Sequence, residues 1–592
     1  MKISDVERIT GLTAKTIRLY ESKKLICVSR SNNSYREYSD ENVEMLNRIK
    51  QMRKLGIAIA DIKLWCDGII DVDTLIKKRR SELENLEKLS ARQKKECCDI
   101  LENKHNFDKF FDFSTEKSFE YEALSLGIDI GTTSISAQLI DLKSGKTVHM
   151  YTFEHSSEVE VPGFSDGYAH DAVSLSEIII NFALSVIDTY SVVKSIGITG
   201  QMHGIVCLDE DNNVLSPFYT WQNKFGARIV EGRSICRQIQ DITGESVPTG
   251  YGFVTLYALQ KLGLLNQNAV KICTIPDFAA MKLCGNSRVI THPTNAAGLG
   301  FFNVNDLEFS YDKLFKLGIS ESFIPTVIKG NSFDGSYGVI GSFQGIPVAC
   351  AIGDNQAAAF ASLKNDNQIL INVGTGSQIS VPITTYGKTA DSCIEIRPYF
   401  DGKRLLSGSC LCGGKAYAVL ADFFVKTAQM LGMNISRQEV YSKMESLLQK
   451  NAETKCGREK LDISTQFAGT RYDDAVRGYI KNIGMNNLIP EALIDGVLEA
   501  IIREMYDMYE IMRETAALPH HAQTVVSGNA MRLNPALRRK ISDIFETEIF
   551  MTHKEEAAYG AALYSAIACG IITRKKSFSL IQYEKDGIGN EY

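Results

Sequence analysis

Two aspartates, each closing an apolar run and each followed by small residues, are the groups in this sequence best placed to do chemistry. Asp129 stands in SLGIDIGTTS (Ser125–Ser134), where a strand breaks into Gly131, Thr132, Thr133 and Ser134 before a second alternating strand over Ile135–Ile140. The backbone N–H groups and hydroxyls of such a turn can face a polyphosphate, and a carboxylate at its edge can hold a magnesium ion through water. INVGTGSQIS (Ile371–Ser380) repeats the unit far along the chain with Gly374, Thr375, Gly376 and Ser377. Two such turns predict a duplicated fold closing on one nucleotide. Between them AIGDNQAAA (Ala351–Ala359) delivers Asp354 at a strand end, ahead of a helix start tightly packed by small residues. A carboxylate there can accept a proton from a hydroxyl, and standing alone it would serve equally as a helix N-cap.

The elements that must position these groups belong to a long chain. At 592 residues it exceeds what one hydrophobic core supports and predicts three or four domains. The 44% hydrophobic and 23% charged content is that of an ordinary globular protein, and no run approaches the length of about 18 apolar residues that a membrane span needs. Charges among the apolar residues of Met1–Arg8 speak against a signal peptide. A cytoplasmic protein without a membrane partner is expected. The 14 cysteines are scattered, their closest groupings being Cys97-Cys98 and Cys410-Leu411-Cys412, so reduced and mostly buried thiols are expected rather than a zinc or thioredoxin-like motif. Residues 1–110 hold 23 Lys and Arg against 18 Asp and Glu, and the remainder holds 42 against 53, giving a basic head on an acidic body.

That head divides into short helices. The first runs over about Ile3–Ile9 and stops at Gly11, and Thr13 can cap a second over about Ala14–Lys24. The second presents Lys15, Thr16, Arg18 and Tyr20, side chains suited to a DNA groove and its phosphates. Val28–Tyr38 reads as a hairpin wing around Ser31–Ser34, with Tyr35, Arg36 and Tyr38 on the return strand, and Ser39 caps the helix that follows. The order TxxTIRLYE, YREY, then RKLGIAIADIK resembles the DNA-binding domain of the MerR family of transcription regulators over about 65 residues. The resemblance implies a winged helix-turn-helix at 1–70 that binds a double-stranded operator through the residues just named, Thr13 included. It also implies a connector at 71–122 whose long helix, Asp73–Glu102, pairs with its twin in a homodimer; Ile76, Leu83, Leu86, Leu89 and Ile100 give it an incomplete apolar seam, and a solvated connector is the plainer alternative.

The body resembles the FGGY carbohydrate kinases of the actin-like ATPase superfamily across about residues 123–575. GITGQMHG (Gly197–Gly204) looks like the family's sugar-contact segment and TWQNKFGAR (Thr220–Arg228) like its substrate loop. Met202 and Trp221 could then cover an apolar sugar face while Gln201, His203 and Gln222 bond hydroxyls, with Asp277 and Asn295 lining the same pocket. LCGGKA, with Gly413 and Gly414, and VVSGNAMRLNP, with Gly528 and Asn529, resemble the nucleotide loops, and HKEEAAYGAAL resembles the final helix. The resemblance implies an α/β fold of two RNase H-like domains, 123–362 for sugar and 363–575 for nucleotide, with a tail at 576–592. ATP and magnesium would be required, with magnesium at Asp129 and Asp354 as general base toward a ketose. The sedoheptulokinase-like branch fits best, xylulokinase next. One departure stands out: the family usually has an aspartate two residues after the tryptophan, and this chain has Asn223. Two rival readings remain, a sugar-sensing regulator whose kinase-like body does not turn over and a head that contacts only protein.

Overall fold

The computed structural model describes the chain apart from residues 24, 27, 31–35, 55–58, 67–70, 74–75, 77–79, 81–120, 156, 162, 329–337, 387–392, 454–458, 471–474, 521 and 585–592. The chain forms two compact units, Met1–Thr115 and Glu116–Tyr592.

In the first unit the helix α1 (Ile3–Thr10) ends at Gly11, whose φ of 65° is the left-handed conformation that glycine adopts without steric cost. Thr13 caps α2 (Ala14–Ser22) by accepting the Thr16 N–H at 3.2 Å. Two short antiparallel strands, β1 (Ser29–Arg30) and β2 (Arg36–Glu37), form the expected hairpin, and α3 (Asp40–Lys54), capped by Ser39, and α4 (Ile59–Cys66) follow. Val6, Ile17, Tyr20, Tyr38, Leu46 and Ile49 make the core. The expected dimer helix at Asp73–Glu102 falls largely outside the described residues.

Two sheets organise the second unit. In the first, β3 (Leu124–Ile130), β4 (Ser134–Asp141) and β5 (Thr147–Glu154) form an antiparallel meander; β6 (Val193–Gly200) then pairs parallel to β3, β7 (Val339–Phe343) edges the sheet, β8 (Ile346–Ala349) pairs parallel to β6, and the short β9 (Ile352–Gly353) also joins β6. The second sheet shares the central part of this order, a hairpin flanked by two strands added parallel to its first strand. β10 (Gln368–Val373) and β11 (Ser377–Ile383) form the hairpin, β12 (Ile394–Pro398) edges β13 (Arg404–Cys410), which pairs antiparallel to β11, and β14 (Gln523–Ser527) and β15 (Ile549–Met551) add parallel to β10 in turn. Both glycine turns found in the sequence therefore connect the first two strands of equivalent sheets.

The helix α5 (Ala172–Thr189) is by length and composition apolar enough to cross a membrane. Its Leu175, Ile179, Ala183 and Val186 are instead buried on the first sheet with Leu126 and Ile128. Two further helices meet where the sheets approach, α6 (Asp354–Ser362) and α7 (Glu556–Ala568). A Cβ on Gly127 would lie 1.9 Å from the Ala558 carbonyl oxygen and one on Gly197 2.0 Å from that of Ala561, so the glycines of β3 and β6 admit the α7 backbone. Ser125, Ser195 and Ser565 seal the junction with hydroxyl bonds of 2.8–3.0 Å. Small residues in EAAYGAALYSAIA thus serve close packing, which no larger side chain would allow.

Candidate active site

Pairing register brings the two aspartates together. Asp129 sits opposite Thr199 on β6, and Thr199 sits opposite Ile352, two residues before Asp354. The Thr199 hydroxyl donates to the Ile352 carbonyl at 2.8 Å, and the Gly353 N–H donates to the Thr294 hydroxyl at 3.1 Å, pinning the strand end. Gly353 is the N-cap of α6, so Asp354 is the first helical residue and not the cap; its carboxylate accepts the Asn355 N–H at 2.7 Å. Burial, then the facing carboxylates of Asp354, Glu555 and Glu556, push Asp129 up to about 8. Burial likewise pushes Glu556 up to about 7. Acids crowded in this way form a charge deficit that a divalent cation would relieve.

The first turn is braced from three sides. Its Gly131 N–H donates to the Ser134 carbonyl at 3.0 Å, while the Gly131 carbonyl accepts His155 Nε2 at 3.2 Å and Gln201 Nε2 at 3.3 Å. Trp221, 42% exposed, donates its indole N–H to the Thr132 hydroxyl at 3.3 Å, tying the loop at 220–228 to the turn. Gln222 beside it is exposed, and the Thr133 carbonyl accepts the His155 N–H. Gln201 Oε1 is buried without a partner, an acceptor held beside the turn.

Around the second turn a cavity of about 600 Å³ is lined by Gly374, Thr375, Gly414, Gly528, Asn529 and, unforeseen from the sequence, Lys415, Arg532, Lys554, Glu555 and Glu556. Gly413 and Gly414 pack their backbone on the turn: a Cβ on Gly413 would meet the Gly376 carbonyl at 2.3 Å, and one on Gly414 the Gly374 carbonyl at 2.7 Å. Gly528, at φ 93°, lies so close to Val373 that a Cβ would fall 2.5 Å from its carbonyl oxygen. Ser377 is buried at the foot of β11. Glu555 and Glu556 belong at once to this cavity and to the surroundings of Asp129, so the two turns share one acidic cluster.

A narrower crevice of about 230 Å³ is lined by Met202, His203, Tyr251 and Phe301 and by Glu395 and Arg397 of the second sheet. His203 donates Nδ1–H to the Gly298 carbonyl at 2.9 Å and packs against Tyr251 with ring centroids 4.3 Å apart and planes tilted by 31°, held at a φ of 75°. Met202 is buried, its sulfur against Gly353. It therefore packs behind the strand end that leads into Asp354, while Trp221 is exposed.

Asp277 and Asn295 require a correction. They are 2% and 0% exposed and line neither cavity: Asp277 accepts the Thr274 hydroxyl at 2.7 Å and Asn295 Nδ2 at 3.2 Å, and burial pushes its carboxyl up to about 7. They support the segment holding Thr294. Asn223 is equally buried, donating to the Gly167 carbonyl at 3.1 Å and accepting the Phe225 N–H at 2.8 Å, so both ends of its amide brace the loop. In the head, Tyr20 and Tyr38 are core residues and Arg36 pairs with Glu21 at 2.8 Å, which leaves Thr13, Lys15, Thr16 and Arg18 on the outer side of α2; Tyr35 lies outside the described residues.

A third cavity, about 730 Å³ and lined by Arg288, Glu308, Phe309 and Tyr311 among others, contains none of these groups. Among the described residues no cluster of His, Cys, Asp or Glu has metal-binding geometry and no disulfide forms.

Comparison with known proteins finds the following similarities. Residues 124–361 match the N-terminal domain of the FGGY family of carbohydrate kinases, and residues 1–69 match the MerR HTH family regulatory protein. The chain is 25% identical over 476 residues to a sedoheptulokinase of Mus musculus, covering 74% of this chain and 96% of that protein. It is 25% identical over 475 residues to a xylulose kinase of Staphylococcus xylosus, covering 75% and 91%. Its fold is similar to that of a xylulose kinase from Brucella ovis, with a TM-score of 0.65 at 20% identity over 78% of this chain and 94% of that one.

Proposed function

We propose that this chain, whose residues 124–361 match the N-terminal domain of the FGGY family of carbohydrate kinases and whose residues 1–69 match the MerR HTH family, transfers the γ-phosphoryl group of ATP to a hydroxyl of a ketose resembling sedoheptulose or xylulose. The observation that carries this reading is the shared cluster of Asp129, Asp354, Glu555 and Glu556, which joins the glycine turns of two equivalent sheets to a carboxylate that does not cap its own helix.

In this reading the cavity at Gly374, Thr375, Gly414 and Gly528 takes the nucleotide, where absent side chains let backbone approach it and Lys415 and Arg532 add cationic charge. Residues 123–362 serve the sugar and 363–575 the nucleotide. The crevice at His203 and Tyr251, with the Trp221 loop beside it, receives the ketose. Asp354 accepts the proton as the hydroxyl oxygen attacks phosphorus, and the N–H groups of both turns meet charge developing on the phosphoryl oxygens. Asp129, with Glu555 and Glu556 in its surroundings, would hold a magnesium ion through water, since the side chains among the described residues form no closed ligand set; the ion when bound would screen the phosphates. The test is magnesium-dependent ADP formation against a panel of ketoses led by sedoheptulose and D-xylulose. Turnover on one ketose supports the reading; silence across the panel, with a sugar still raising the melting temperature, favours a sensor without turnover.

For the head we propose binding to double-stranded DNA through Thr13, Lys15, Thr16 and Arg18, exposed or half-exposed on one helix and suited to phosphates and base edges. Dimer formation through the helix at 73–102 and cytoplasmic residence belong to the same proposal.

A further inference from the structure

We infer that Arg397 is a positioning residue for proton transfer at Asp354, holding the adjacent Asn355 to the second sheet while anchoring Glu395 in the sugar crevice. The inference rests on the kinase reading and deepens it. Asn355 bonds Asp354 directly through its backbone N–H, and its side-chain amide is clamped on both ends. Its Oδ1 accepts Arg397 Nη1 at 3.1 Å; its Nδ2 donates to Gln378 Oε1 at 2.7 Å and to the Ser380 hydroxyl at 3.0 Å. Gln378 in turn donates to the hydroxyls of Ser407 and Ser409, each at 3.0 Å. Side chains from β11 and β12 thus converge on Asn355, and β13 supports them through Gln378.

Arg397 is itself buried, and a buried guanidinium persists only when paired and hydrogen-bonded. Its partner is Glu395, whose Oε2 accepts Arg397 Nε at 2.9 Å and Nη2 at 2.6 Å. The same oxygen accepts the Tyr251 hydroxyl at 3.4 Å, and the Tyr251 ring packs against His203. One planar cation therefore links the base's neighbour to the crevice wall. Lysine keeps the charge but not the fork that reaches Asn355 and Glu395 together.

Misplacing a reacting group by about 1 Å can cost on the order of a hundredfold in rate. Wild type, R397M, R397K, N355A and the double variant R397M/N355A are compared by steady-state kinetics on the ketose that the wild type turns over, with melting temperature measured alongside. Expected are a kcat about a hundredfold lower in R397M and about tenfold lower in R397K, with KM for ATP within about threefold of wild type. The double variant should be no slower than the slower single variant, because both break one link. A folded R397M with kcat within threefold of wild type overturns the inference; if R397M does not fold, a folded R397K with wild-type kcat does so. Fully additive losses in the double variant also overturn it. A wild type silent on every ketose overturns the kinase reading and this inference with it.

Discussion

A Cβ placed on Gly560 would lie 2.0 Å from the carbonyl oxygen of Ala357: α7 and α6, the helix that begins at Asp354, cross with their backbones touching. Gly560 has a helical conformation, so alanine would suit its backbone but not its surroundings. Gly560→Ala should separate the helices, and overpacking of this kind costs about 1–3 kcal/mol. We expect a lower denaturation midpoint together with a fall in kcat. An alanine variant of wild-type stability and activity would remove this crossing as a determinant of the site.

Asp129 makes stability depend on pH in a direction that can be worked out. Its ordinary value is near 3.8 and the fold raises it to about 8, so ionisation is harder in the folded protein than in the unfolded chain. Stability is fully present below the lower value and declines as pH rises through the higher one. Without ligands, the melting temperature should fall between about pH 5 and pH 8, and Asp129→Asn should flatten that fall. The variant should be the more stable protein at pH 8, unable to gain stability from magnesium, and inactive. A steeper fall in the variant would contradict the placement of this charge.

Asn223 predicts the cost of restoring the family's usual aspartate. Asn223→Asp removes the donor to the Gly167 carbonyl and buries a carboxylate against it. An unsatisfied buried group costs about 1–3 kcal/mol, more when charged. Denaturant titration should show a loss of at least that size, and an unchanged midpoint would mean that the loop does not depend on this amide.

The head should bind DNA mainly through charge. Arg18→Ala and Lys15→Ala should each weaken binding across all sequences, and each should make the salt dependence shallower by about one in slope for every phosphate that the native side chain neutralises. Binding insensitive to salt and to both substitutions would direct attention to protein partners instead.

The parts of the site legible in the sequence are those that a short segment encodes by itself. IDIGTTS and NVGTGS carry a strand, a glycine turn and hydroxyls within a few residues, and the structure places both at equivalent hairpins. What long-range packing decides was not legible. Asp277 and Asn295 read as pocket residues but bond each other out of reach of solvent, and Lys415, Arg532, Glu395 and Arg397 reach the cavities only after sheets far apart in sequence come together. Glu555 takes a left-handed φ of 52° that its residue type does not announce. The two tyrosines of the head were recoverable: Tyr20 follows Ile17 by three residues on one helical face, and both are buried.

Replacement of Asp354 by asparagine tests the central claim most directly. The change keeps shape and the bond from the Asn355 N–H while removing the proton acceptor. With folding unchanged by melting temperature, and with ATP and ketose binding retained, the account predicts that ketose-dependent ADP formation falls by roughly a hundred- to ten-thousand-fold. Turnover within a few fold of wild type would contradict it.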